Sequence, residues 1–232
     1  MDGIESFERF LIDVDRDGAL RETRSQAEAT LSRRRLFGLT IGGAAAVVLA
    51  RGQGASAARL SASDIGILNY ALVLEYLQAA FYTEAERSGA LRGKTARAAR
   101  VVGATERAHV KAFRKLLSSQ AVQRPTFDFQ GTTEQQLPFL KTAVAFEDLA
   151  VAAYKGQAPK LQSDAVLAAA VGIHSVEARH AAWMRQLFGI TPAVNAFDRP
   201  ASRSQINRIV ASTNFIVSTP RMKAREKPKY TG

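Results

Sequence analysis

Two runs decide the reading: Leu74-Glu75-Tyr76-Leu77-Gln78-Ala79-Ala80-Phe81-Tyr82 and Phe146-Glu147-Asp148-Leu149-Ala150-Val151-Ala152-Ala153-Tyr154. Each is followed by a Glu-x-x-His, first Glu106/His109 and then Glu177/His180, at 31 residues from Glu75 and 30 from Glu147. Superposed, Glu75, Leu77, Ala80 and Tyr82 fall on Glu147, Leu149, Ala152 and Tyr154. Glu106, His109, Arg114 and Leu116 likewise fall on Glu177, His180, Arg185 and Leu187. The chain uses one helical hairpin twice, with a Glu on its first helix and a Glu-x-x-His on its second.

The helical period says where these groups point. Leu68, Leu72, Glu75, Ala79 and Tyr82 recur at spacings of three and four, as do Val102, Glu106, His109, Phe113 and Leu116. Leu140, Ala143, Glu147, Val151 and Tyr154 form the third stripe, and Val166, Ala170, Ile173, Glu177, His180, Met184 and Leu187 the fourth. Four carboxylates and two imidazoles therefore lie on apolar stripes, where an unpaired charge costs several kcal/mol. Two divalent cations balance four negative charges, and a Glu/His set suits iron, manganese or zinc over thiophilic metals. One Glu-x-x-His alone reads as a surface pair on a helix. Two at matched spacing, in a chain with only three histidines, do not.

On these residues the chain resembles the ferritin-like carboxylate bundles, which take one Glu from each of two helices and Glu-x-x-His from each of the other two. The LEYLQAAFY, ERAH, FEDLAVAAY and VEARHAAW runs are similar to the exported bacterial ferritin-like domain family, with relatives among desiccation-associated proteins. The resemblance spans roughly residues 61–188. It implies an all-α, up-down-down-up four-helix bundle with one long crossover. It also implies two metal ions, iron or manganese, with Glu75 and Glu147 as terminal ligands and Glu106 and Glu177 as bridges. His109 and His180 would each complete the protein ligand set of one metal.

Helix signals set the expected boundaries. The first helix starts at Ser61–Asp64 and runs to Arg87; the second covers 95–120 after a turn at 91–94. Residues 121–133 carry no helical stripe and make the crossover. The third helix starts between Thr133 and Pro138, the proline favouring the later start, and ends near Gly156, and the fourth helix covers 161–188. Ser202–Ser212 reads as a short helix with Ile206, Ile209 and Val210 inward, folded back on the bundle. The domain plan is a leader at 1–57, a bundle at 58–188 and a C-terminal extension at 189–232 whose basic last ~15 residues are disordered.

Around the site, Tyr82 and Tyr154 each follow a ligand Glu by two turns. They are expected to stack in the core in preference to hydrogen-bonding a ligand or carrying a radical. His174, one turn before Glu177, is expected to hydrogen-bond a carboxylate. Trp183 reads as packing, and Glu84 and Glu86 as solvent-facing.

The chain has no cysteine, which excludes disulfides, thiolate ligands and cysteine nucleophiles. No phosphate loop is present, and every histidine near a metal stripe argues against a hydrolytic triad. Ser32-Arg33-Arg34-Arg35-Leu36-Phe37 resembles a twin-arginine export motif, ahead of an apolar run to Ala50 and a small-x-small cleavage pattern at Ala55-Ser56-Ala57. Export follows, with the leader cut after Ala57 or retained as an anchor. That machinery moves folded proteins, which suits a chain that loads metal first. Asp13-Val14-Asp15-Arg16-Asp17-Gly18 imitates a calcium loop but has Arg24 at the twelfth position, where a bidentate Glu is required. The net charge of +11 belongs wholly to the segment after Ala57. It reads as a solvated face, with attraction to anionic envelope polymers as the functional alternative and nucleic acid excluded by export.

A metal pair held this way favours redox chemistry with O2 or H2O2, catalase-like or ferroxidase-like. The alternatives are a metal-stabilised stress-protection bundle without turnover and an iron-storage subunit, with homo-oligomers compatible with either.

Overall fold

The computed structural model describes residues 60–193 and 195–218. The leader, the twin-arginine motif, the calcium-like run and the basic tail lie outside them. Four long helices dominate: α1 (Ala62–Ser88), α2 (Gly93–Leu117), α3 (Gln136–Gln157) and α4 (Asp164–Phe188). Helix ends carry the chemistry that stops them. Ser61 accepts from Asp64 N at the start of α1, and Ser163 accepts from Val166 N at the start of α4. Gly89 and Gly189 close α1 and α4 in the left-handed region, at φ 62° and 86°.

Contacts fix the directions. Glu75 faces His109 and Glu86 pairs with Arg107, so α1 and α2 run antiparallel. Asp148 pairs with Arg185, while Tyr154, further along α3, clusters with Val166 and Ile173 near the start of α4, so α3 and α4 do too. Tyr82 meets Glu147 while Tyr154 meets Glu75, which makes α1 antiparallel to α3. The order is up-down-down-up, as the sequence predicts.

The crossover is pinned at both ends. Asn69 donates to Gln120 O and accepts from Val122 N at 2.9 and 2.8 Å; Thr133 donates to Glu84 at 2.7 Å. Between them β1 (Thr126–Phe127) pairs antiparallel with β2 (Ile216–Ser218), a ribbon the sequence reading does not contain. The chain reaches β2 through α5 (Arg203–Thr213), whose Ser202 and Gln205 form a reciprocal capping box. Ala201 N donates to Ala152 O beside Gly156. A Cβ on Gly156 would lie 1.9 Å from Ala201 O, so only glycine lets the returning segment cross α3 there.

Several expected boundaries move. The second helix gives way to a 3-10 turn at Ser118–Gln120. The third starts at Gln136, inside the range expected for it, with Pro138 in the first turn, where a missing N–H breaks no intrahelical bond. The fourth starts three residues late, because Ala158–Lys160 winds into a 3-10 turn containing Pro159 and Ser163 is the cap. In α5 Ile206 and Val210 are buried, but Ile209 is 51% exposed.

The interior has three layers. Phe81, Phe139, Phe146 and Phe129 interlock at one end, with ring centroids 5.1–5.4 Å from Phe81. Leu68, Leu72, Phe113, Val166 and Ile173 pack the other. Each fully buried aromatic or leucine contributes about 1.5–3 kcal/mol. The Glu/His cluster lies between these layers. By length and composition α1 could cross a membrane, yet 67% of its most apolar window is buried inside the bundle.

Candidate metal centre

All four glutamates and both histidines meet in that middle layer. Glu106, Glu147 and Glu177 are fully buried, Glu75 is 1% exposed, and the histidines are 5–6% exposed. His109 Nδ1 lies 3.2 Å from Glu75, 3.5 Å from Glu106 and 3.1 Å from Glu177. His180 Nδ1 lies 2.9 Å from Glu106, 3.5 Å from Glu147 and 3.8 Å from Glu177. Two overlapping groups result: Glu75, Glu106, His109 and Glu177, then Glu106, Glu147, Glu177 and His180. Within each, ligand atoms lie within 4.8 Å of one another. Glu106 and Glu177 belong to both, turning one oxygen toward each histidine.

Whether these residues suit cations is tested by their hydrogen bonding. Eight buried atoms have no hydrogen-bond partner: both oxygens of Glu106 and Glu177, one each of Glu75 and Glu147, and the Nδ1 of both histidines. Buried polar atoms are rarely orphaned, and eight facing one centre are the donor set of a hard or borderline cation. They fit metal ions.

Electrostatics agree. Burial, with negative Glu177 alongside, pushes Glu106 up to about 8. Burial likewise pushes Glu147 up to about 7. Burial opposes ionisation of Glu177 as well, but the two facing imidazoles hold it below the usual carboxylate range. Burial also disfavours charge on His109 and His180, yet the surrounding carboxylates raise both. The protein atoms alone demand positive charge at this point, as protons or as metal.

The tyrosines do more than stack. Tyr82 donates to Glu147 Oε1 at 2.5 Å, and Tyr154 donates to Glu75 Oε1. Each half of the repeat thus holds a glutamate of the other. Tyr82 also packs edge-on against Phe81 and Phe139. Burial and the neighbouring carboxylates raise both phenols well above 10, so they remain donors.

His174 departs from expectation: its Nε2 is buried without a hydrogen-bond partner and makes no bond to a carboxylate. It replaces Gly103 of the other half, where a Cβ would lie 2.8 Å from Tyr82 Cβ and 2.4 Å from Glu86. The α1–α2 pair is too close for a side chain there. Glu86 is not free in solvent but paired with Arg107 at 2.8 Å, and exposed Glu84 accepts from Thr133. Trp183 packs against the aromatic cluster.

Two residues escape sequence reasoning. Gln78, 2% exposed, carries an unpartnered Nε2 one turn beyond Glu75. Asp64, 1% exposed, accepts from Gln162 N at 2.9 Å and Ser163 N at 3.2 Å, tying the start of α1 to the start of α4. An unusually polar residue on an apolar stripe is the only signal either leaves.

Set against known families, residues 63–189 match the one described as ferritin-like domain. A search of curated proteins gave no match.

Proposed function

The chain belongs to the ferritin-like domain family, and on that premise we propose that it is an exported oxidoreductase using two iron or manganese ions with O2 or H2O2. The observation that carries this reading is the eight unpartnered atoms converging from four helices, with Glu106 and Glu177 common to both groups. Glu75, Glu106, His109 and Glu177 would hold one ion, and Glu147, His180 and the same two shared glutamates the other. Such a pair supplies electrons and Lewis acidity to an oxygen substrate. The chain's own residues set the terms. Glu106 and Glu177 have no hydrogen-bond partner for either oxygen, so each could serve both ions. Tyr82 and Tyr154 clamp the outer oxygens of Glu147 and Glu75. Apolar layers on either side keep bulk water out.

Elemental analysis of full-length protein purified from its native source, with O2 and H2O2 turnover assays, tests this. Two metals per chain and turnover with either oxidant are expected. Metal without turnover would return the protein to a metal-stabilised structural bundle. Export rests on Arg33 and Arg34 within the Ser32–Phe37 run. Arg33→Lys with Arg34→Lys should strand the protein in the cytoplasm, and unchanged secretion would refute that part.

A further inference from the structure

The duplication shows what a filled end of this bundle looks like, and one end is not filled. Carrying the first hairpin onto the second, Phe81, Phe139, Phe146 and Trp183 correspond to Ala153, Ile67, Leu74 and Ala112. The four aromatic residues belong to, or pack against, the cluster closing one end. Their four smaller counterparts all line one pocket at the other end, with a cavity volume of about 50 Å³. Tyr70, in place of Thr142, is the main exception; it lies under the Arg203 guanidinium, 4.8 Å from its ring centroid. The pocket surface is carbon almost throughout. Its inner wall includes Phe113 and Ile173, each one turn from His109 and Glu177, and Tyr154, which donates to Glu75.

Leaving apolar surface uncovered at a bundle end forgoes its burial, and the chain has the aromatic solution at hand in its other half. Resting on the metal-site reading above, we propose that this pocket admits dioxygen to the centre, making O2 rather than H2O2 the oxidant. Small apolar cavities stay dry and take up apolar gases. An enclosed one of about 150 Å³ holds benzene; this one is smaller and opens to the surface past half-buried Ile67, Ala71 and Leu116, so it suits entry of a diatomic molecule rather than a ring. H2O2 would lose its hydrogen bonds to water on entering and gain none from such walls. With iron as the bound metal, the net reaction would be 2 Fe2+ + O2 + 2 H+ → 2 Fe3+ + H2O2, the two electrons coming from the iron.

Ala153→Phe and Ile67→Phe transplant the aromatic residues of the filled end. Xenon under pressure should occupy the pocket of the parent protein and be lost in the variants, whatever metal is bound. In ferrous-loaded protein, oxidation by O2 should slow at least tenfold in the variants, while oxidation by added H2O2 (2 Fe2+ + H2O2 + 2 H+ → 2 Fe3+ + 2 H2O) changes less than twofold. A pocket without xenon, O2 rates unchanged by filling, or O2 and H2O2 rates falling together would each overturn the assignment while leaving the metal site intact. A short alkyl chain binding where xenon does not would overturn it too. If neither oxidant reacts with iron-loaded protein, the redox reading itself fails and the route falls with it.

Discussion

The crossed tyrosine bonds can be measured. Tyr82→Phe removes only the hydroxyl that donates to Glu147 across the bundle. A buried hydrogen bond to a charged acceptor is worth about 1.5–3 kcal/mol. Combining Tyr82→Phe with Glu147→Gln in a double-mutant cycle should therefore give a coupling of about that size. Combining it with Glu75→Gln, the glutamate of its own half, should give a coupling within about 0.5 kcal/mol of zero, since Glu75 takes its hydrogen bond from Tyr154. Urea unfolding of chelator-treated, full-length protein reads both. At pH 8.5, above the value of about 7 to which burial raises Glu147, the acceptor is charged. At pH 5.5 it is protonated, and the coupling should shrink. A cycle in which Tyr82 couples to Glu75 instead of Glu147 would refute the crossed arrangement, and with it the antiparallel register of α1 and α3.

Protons and metal should compete for the cluster. Glu106 and Glu147, raised to about 8 and about 7 from 4.5, contribute stability that is complete below pH 4.5 and is lost as pH rises through those values. His109 and His180, also raised, act with the same sign, while depressed Glu177 matters only below pH 4.5. The melting temperature of chelated protein should fall from pH 5.5 to 8.5, and the increment from added Mn2+ should grow; parallel curves with and without metal would contradict this. Gly156→Ala sets a methyl against Ala201 O and should cost about 1–3 kcal/mol by overpacking. Hydrogen exchange should quicken at Ala201 and through α5 and β2 while metal binding persists, and unaltered protection of that segment would count against the crossing.

What the sequence reveals here follows from what has a period. Four glutamates and two histidines on 3.6-residue stripes, repeated at matched spacing, identify the four helices and the cluster because burying such groups has few physical solutions. The ribbon between Thr126–Phe127 and Ile216–Ser218 leaves no such trace. Strands of two or three residues show no alternation, and their pairing joins segments ninety residues apart. The tyrosine bonds were within reach: with α1 and α3 antiparallel, a Tyr seven residues after each Glu must face the other half's Glu. The up-down-down-up order supplies that direction; spacing alone does not tell a phenol that only stacks from one that also donates. His174 and Gln78 lie where the halves differ, so the repeat is silent about them.

If the chain is exported as proposed, the apolar length of α1 bears on the route it would take. A transport pore that threads polypeptides in extended form samples segments one at a time and releases sufficiently oily ones sideways into lipid. There α1 would arrive without the three partners that conceal it, and could be left stranded as a span. Collapse of the bundle before transport removes that hazard, because the helix then travels as interior rather than as a candidate anchor.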